Sequence, residues 1–316
     1  MLEEFFYDSQ YFQRDGGQMK TKTETVREPL ISYHTKLQLI RDRVRGVAQH
    51  YYTAAYLVGR SGTSKTYTVK EELERLGVPH VIRNARMTPM GLFDFLNEHP
   101  EHIIVLDDIA SLFSQPAALQ ILMAALDGDP SAPRKVTYKS KDKSTSFNFA
   151  GGIIAISNVP LRHDPLAMAV ASRVVQVEHE PTDEEIAAFM QFLAGKGYKD
   201  LTAAQCTEVG DFIITETRQY DQRLDLRHLA KACEDRRQWE HGKSVTCWKD
   251  LVRTSLQKMM VGTKYIPSKA EEIELQVARI KDLIKKYPND RERQIKESKL
   301  KRSTFYQRLR EFKASF

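Results

Sequence analysis

The sequence predicts an α/β fold: a parallel sheet layered with helices (αβα), followed by an all-helical segment and a small basic helical domain. Three observations carry that expectation. Short apolar runs at residues 54–58, 102–107, 150–157 and 174–178 alternate with segments of helical period, the pattern of strands buried on both faces. The first run opens into a Gly-rich loop that ends in Lys65 and Thr66 and leads straight into a helical pattern. Beyond Pro181 the strand pattern stops, and only helical periodicity continues, to about residue 260.

With 316 residues, 41% hydrophobic and 28% charged, the chain suffices for one large domain and one or two small ones. No run approaches the ~18 uncharged apolar residues of a membrane span, and the opening MLEEFFYDSQYF lacks the basic start and apolar core of a signal peptide. A cytoplasmic protein without membrane contact is expected. Cys206, Cys233 and Cys247 lack metal-ligand spacing and read as reduced thiols. Residues 281–316 hold twelve Lys/Arg against five Asp/Glu, whereas the whole chain carries only +6. The basicity therefore belongs to the tail and points to a polyanion partner there, a solvated basic helix being the other reading.

Residues 1–34 show no sustained period and are expected to form an arm. Leu37, Leu39, Ile40, Val44 and Val47 recur at helical intervals, so a helix over 35–50 leads into the first strand. The loop Gly59, Arg60, Ser61, Gly62, Thr63, Ser64, Lys65, Thr66 fits G-x-x-x-x-G-K-[ST] except that Ser64 takes the last glycine slot. Its backbone N–H groups and the following helix N-terminus would converge on phosphate, a plain turn with an N-cap being the other reading. Lys65 would reach the β- and γ-phosphates and the Thr66 hydroxyl would hold Mg²⁺, so ATP and Mg²⁺ are the expected cofactors. After a turn at Gly77-Val78-Pro79, a short strand over 80–83 and a helix over 90–97, the strand over 102–107 carries Asp107 and Asp108 at its C-terminal end. Ligands gather at such ends in parallel sheets. Asp107 reads as the second metal holder and Asp108 as the group that polarises an attacking water; capping the next helix is the other role open to the pair.

A helix is expected over 116–126. In RKVTYKSKDKSTSFNFA, Val136 and Tyr138, then Phe147 and Phe149, alternate with polar residues about a polar tip, which predicts a β-hairpin. Arg134, Lys135, Lys139, Lys141 and Lys143 make it basic and suited to phosphates of nucleic acid, a solvated loop being the other reading. The strand over 150–157 delivers Asn158, an amide suited to holding the lytic water. Arg173 lies at a helix-to-strand junction from which a guanidinium would reach a neighbour's nucleotide, with a surface ion pair as the alternative. Arg227, beside Leu226, Leu229 and Ala230 in the helical part, would contact the γ-phosphate from a lid.

A polar link at 262–269 precedes the tail, where RERQIKESKLKRSTFYQRLREF offers a short helix with Ile295, a turn over 298–301, and a helix carrying Phe305, Leu309 and Phe312. This is a helix-turn-helix pattern with Lys299 where the turn usually has glycine. Arg302, Ser303, Thr304, Tyr306 and Gln307 would open the recognition helix, with Arg308 and Arg310 near phosphates. An amphipathic helical hairpin that binds protein would use the same pattern.

In order and rough spacing, the Walker A loop at 59–66, the Asp107-Asp108 Walker B pair, Asn158 as sensor 1, Arg173 as an arginine finger and Arg227 resemble the AAA+ ATPases, a branch of the P-loop NTPases, over residues 35–260. Ser64 and Asp108 depart from the usual Gly and Glu. The resemblance implies a nucleotide-binding domain over 35–180, a helical lid over 181–262, and hexameric or heptameric rings or spirals with ATP at subunit interfaces. The stretch LDDI looks like the replication-initiator and helicase-loader branch, and the hairpin like the pre-sensor-1 insertion that touches nucleic acid. In function, the resemblance implies a Mg²⁺-dependent ATP hydrolase that oligomerises on DNA and loads or remodels a recruited helicase or recombinase, in replication, transposition or a related mobile-element process. The alternative is a protein remodeller whose basic domain over 270–316 binds a protein client.

Overall fold

The computed structural model describes residues 24–84, 86–108, 112–113, 115–139, 144–161, 165–220, 222–262, 269–288 and 290–314. It forms two compact units whose boundary falls between Leu256 and Gln257. In the first, α1 (Glu24–Ala48), β1 (Ala54–Val58), α2 (Lys65–Leu76), β2 (His80–Arg83), α3 (Pro89–Glu98), β3 (Ile103–Asp107) and α4 (Pro116–Leu126) lead to β4 (Arg134–Lys139) and β5 (Ser144–Phe149). Then come β6 (Gly152–Ser157), α5 (Pro165–Ala171), β7 (Val175–Glu178), α6 (Asp183–Ala194), α7 (Ala203–Gln219), α8 (Arg227–Glu240) and α9 (Trp248–Gly262), whose last residues lie past that boundary.

Five strands make one parallel sheet in the order β2-β3-β6-β1-β7, while β4 and β5 pair antiparallel as a hairpin. Successive strand residues point to opposite faces. Ala55 and Leu57 of β1 accordingly join a core with α1, α2 and α6 to α9, whereas Ala54 and Tyr56 join one with α3, α4, α5 and the hairpin. Both faces are covered, which is why the inner strands β3, β6 and β1 read as apolar runs, while the edge strands β2 and β7 carry polar residues. Because β6 lies between β1 and β3, with Val58 opposite Ser157 and Asp107 opposite Ile156, the tips that carry the Gly-rich loop, the two aspartates and Asn158 lie side by side.

α1 begins at Glu24, well before the helix expected from residue 35. Tyr33 is fully buried and stacks on Phe189 at 4.5 Å, and Leu30 packs on the same core. Tertiary burial thus carries the helix through Pro29, where periodicity and propensity argue for a break.

The second unit holds α10 (Lys269–Lys286), α11 (Arg291–Ser298) and α12 (Arg302–Ala314) around buried Ile280, Phe305 and Leu309. Asp290 caps α11 by accepting the Arg293 N–H at 2.9 Å. Lys299 ends α11 in the left-handed region (φ 59°, ψ 17°), so the turn is made without glycine, by the residue expected to serve. A non-glycine residue there costs about 1 kcal/mol. α10 completes the core through Ile280, with Ile284 beside it. Among the described residues, no helix is long and apolar enough to cross a membrane.

Candidate functional site

A cavity of about 390 Å³ opens at the C-terminal edge of the sheet. The loop from Ser61 to Thr66, the strand-tip residues Asp107, Asp108 and Asn158, and Arg227 from the helical part all line it. Lys65 is only 5% exposed, and its Nζ donates to the carbonyls of Gly59 and Arg60, both at 2.5 Å, with Asn158 Oδ1 at 3.5 Å. Burial pulls its pKa down to about 8, opposed by the Glu180 and Asp107 carboxylates and reinforced by Arg227 and Arg60.

The loop's curvature has two local causes. Gly62 is left-handed (φ 71°), and a Cβ there would lie 1.9 Å from Asp225 Oδ1, so any other residue would be strained and would have to displace the Asp225 carboxylate. Ser64 is also left-handed (φ 64°, ψ 11°), which explains why glycine is usual at this slot and why serine sits there under mild strain. Successive N–H groups in such a loop form a concave anion nest at the start of α2.

Thr66 Oγ1 donates to Asp107 Oδ2 at 3.0 Å. Burial raises the pKa of Asp107, the Asp108 charge adds to the rise, and the Thr66 hydroxyl opposes it. Asp108 is exposed and left-handed (φ 53°), its N–H held by the Ile156 carbonyl at 3.1 Å. A hydroxyl and a carboxylate brought together at an anion nest are a hard-oxygen set suited to Mg²⁺ beside phosphate. The residues present therefore fit the expected ATP and Mg²⁺.

Arg227 opens α8, where Asp225 Oδ1 accepts its backbone N–H at 2.7 Å. Arg173 lies outside the cavity: its Nε donates to Asp127 Oδ1 at 3.1 Å and its Nη1 to the Ala169 carbonyl at 2.8 Å. Sequence reasoning missed Tyr67, Lys70 and Asn84, which also line the cavity. Asn84 comes directly after a parallel strand, a signal as good as the one used for Asn158, and Lys70 sits one helical turn beyond Thr66. Tyr33 and His179, which bond the loop from 30 and 116 residues away, left no local signal.

The basic residues expected to meet nucleic acid divide into exposed and engaged ones. Lys135 and Lys139 are exposed, and Lys141 and Lys143 lie outside the described residues. Arg134 corrects the expectation. It is 4% exposed, donates to the carbonyls of Pro130 and Gly151, and lies over the Phe149 ring, so it locks the hairpin base instead of facing phosphate. On α12, Ser303, Tyr306, Gln307 and Arg310 are exposed along one face, and Thr304 is half-buried. Arg302 is exposed and pairs with Glu292 at 2.8 Å. Arg308, expected near phosphates, is half-buried and donates to Gln276 of α10 at 3.0 Å, because its position falls beside the buried Phe305 and Leu309 stripe.

No protein-family model matches this chain, and a search of curated proteins finds no match to it.

Proposed function

We propose that the chain is a Mg²⁺-dependent ATPase of the AAA+ type that works on DNA. One observation carries this reading: Lys65, the Thr66–Asp107 pair, Asp108, Asn158 and Arg227, from separate elements of the fold, meet on one cavity with a glycine-tight nest. Gly59 to Thr66 would hold the phosphates, and Thr66 with Asp107 the metal. Bound ATP supplies a phosphoanhydride whose cleavage is downhill. Asp108, exposed at the cavity wall, is the base that would orient and deprotonate water; Asn158 would fix that water, and Lys65 and Arg227 would offset the charge on the leaving oxygens. Arg173, turned away from its own cavity, would serve a neighbour's in a ring or spiral of six or seven subunits, as in the resembling superfamily.

The expected test is direct. Lys65→Ala should abolish ATP binding measured by calorimetry with Mg²⁺, since the lysine charge and the nest act on the same phosphates. Binding equal to wild type would put the nucleotide elsewhere. DNA enters through the exposed cations Lys135 and Lys139 and the face of α12. A client protein is the second reading, and it is favoured by the internal engagement of Arg134, Arg302 and Arg308. A salt titration separates the two: no affinity for single or double strands at low ionic strength removes DNA.

A further inference from the structure

The carbonyl of Thr63 receives two donors from outside the loop. Tyr33 Oη donates to it at 3.1 Å and His179 Nε2 at 3.0 Å, and both side chains are buried. A carbonyl only accepts, so Nε2 carries the proton; burial keeps the ring neutral, with its pKa pulled down to about 4. One residue earlier, the Gly62 carbonyl accepts the Leu226 N–H at 3.1 Å. Within a planar trans peptide, C=O and N–H point in opposite directions. Holding the carbonyls of Gly62 and Thr63 outward therefore turns the N–H groups of Thr63 and Ser64 the other way, toward the nest. The carbonyls of Gly59 and Arg60, by contrast, face Lys65 Nζ.

We propose that Tyr33 and His179 are positioning residues for polyphosphate, and that their shared grip on Thr63 holds Ser64 in the left-handed conformation a glycine would adopt freely. This rests on the ATP-site reading above. The peptide joining Thr63 to Ser64 is the plane whose rotation sets φ of Ser64, so pinning its carbonyl pins that angle. A serine in this slot is under strain that favours leaving the nest shape, and the two donors oppose that relaxation. The loop's departure from the glycine pattern and the buried pair on α1 and after β7 are thus parts of one device.

The experiment uses the full chain, with Mg²⁺·ATP and inorganic tripolyphosphate as probes, affinities from calorimetry, and the ligand-free melting temperature alongside. Tyr33→Phe, which removes one hydroxyl and little volume, should weaken both probes by about fivefold, the worth of one hydrogen bond. Its melting temperature should be nearly unchanged. His179→Leu should weaken both probes, and His179→Gln, which keeps an N–H near the same place, should bind them as wild type does. In the Ser64→Gly background the cost of Tyr33→Phe should shrink to less than about twofold, because glycine removes the strain the donor opposes, whereas in Ser64→Ala, which loses the hydroxyl beside Tyr33 but keeps the strain, it should stay near fivefold. Unchanged affinity in Tyr33→Phe and His179→Leu, while Lys65→Ala abolishes binding, would overturn the clamp and leave the ATP site standing. A loss confined to ATP would also overturn it, since it would lie at the base and not the phosphates. An undiminished cost in the Ser64→Gly background would overturn the link to strain. Failure of the wild type to bind either probe would overturn the clamp and the site together.

Discussion

The sheet edge and the basic tail both gather cations, yet they use them differently. At the sheet edge Lys65 is buried, held by two carbonyls, and stands at the base of a cavity with Arg227 on its wall. In the tail the apolar core, among the described residues, is Ile280, Phe305 and Leu309, and Arg302 and Arg308 are bonded to Glu292 and Gln276, while Ser303, Gln307 and Arg310 stay on an exposed face. The lesson is that charge count marks a region, and the partner each cation already has marks the residue. A cation that lines a cavity is placed to meet a ligand there; one bonded away from the cavity to a carboxylate or amide already has a partner within the fold.

Arg173 offers the strongest way to break that rule, because it has a carboxylate partner and is nonetheless assigned to chemistry. Arg173→Ala should lower turnover by about a thousandfold, the usual worth of an arginine finger. Mixing Arg173→Ala with Lys65→Ala subunits, each inactive alone, should restore part of the turnover at mixed interfaces. Turnover per subunit independent of concentration where the protein is monomeric would make Arg173 the surface ion partner that its geometry also describes.

Asp108→Asn sharpens the comparison on the anionic side. Turnover should fall about a hundredfold or more while ATP affinity stays within about threefold, since the carboxylate handles water and not phosphate. Unchanged turnover would leave Asp108 as a turn residue. Titration of Lys65 has a smaller effect. In the free protein it loses its proton as pH rises through about 8, and polyphosphate favours the charged form. ATP affinity should therefore fall by about tenfold per pH unit above 8, with proton uptake on binding seen by calorimetry in buffers of different ionisation enthalpy. The ligand-free fold should move oppositely. Its folded pKa lies below the unfolded value, so between about 8 and 10.5 the unfolded chain holds more protons and stability gains as pH rises. The smallest effect tests the tail: Arg310→Ala should weaken duplex binding a few-fold and flatten the salt slope by about one, and Arg308→Ala should leave that slope unchanged.

The main lines of the fold were legible because they are local. Apolar runs marked the inner strands, and an alternation of apolar and polar residues about a polar tip marked the hairpin that β4 and β5 form. Even the turn at Lys299 was readable, since no glycine was near and one residue had to take the left-handed position. What was hidden depends on distance along the chain. The part of α1 before residue 35 packs through Tyr33 against Phe189, 156 positions apart in sequence, and periodicity has no term for that contact. Arg134 looked like its basic neighbours and differs from them only because the carbonyls of Pro130 and Gly151 and the Phe149 ring surround it in space.

The two residues between the hairpin and β6 carry a consequence for how such a sequence can drift. The N–H groups of Ala150 and Gly151 share the Pro100 carbonyl at 2.8 and 2.9 Å, and a Cβ on Gly151 would lie 2.0 Å from the His102 carbonyl oxygen. From Gly152 the chain runs through β6, in register with β1 on one side and β3 on the other, to Asn158. An inserted residue here would advance the strand by about 3.3 Å and turn every side chain to the opposite layer. Changes of length in sequences that share this fold must therefore be absorbed before Phe149 or after Asn158, and the short join between them should be inherited at fixed length even where its neighbours are rewritten.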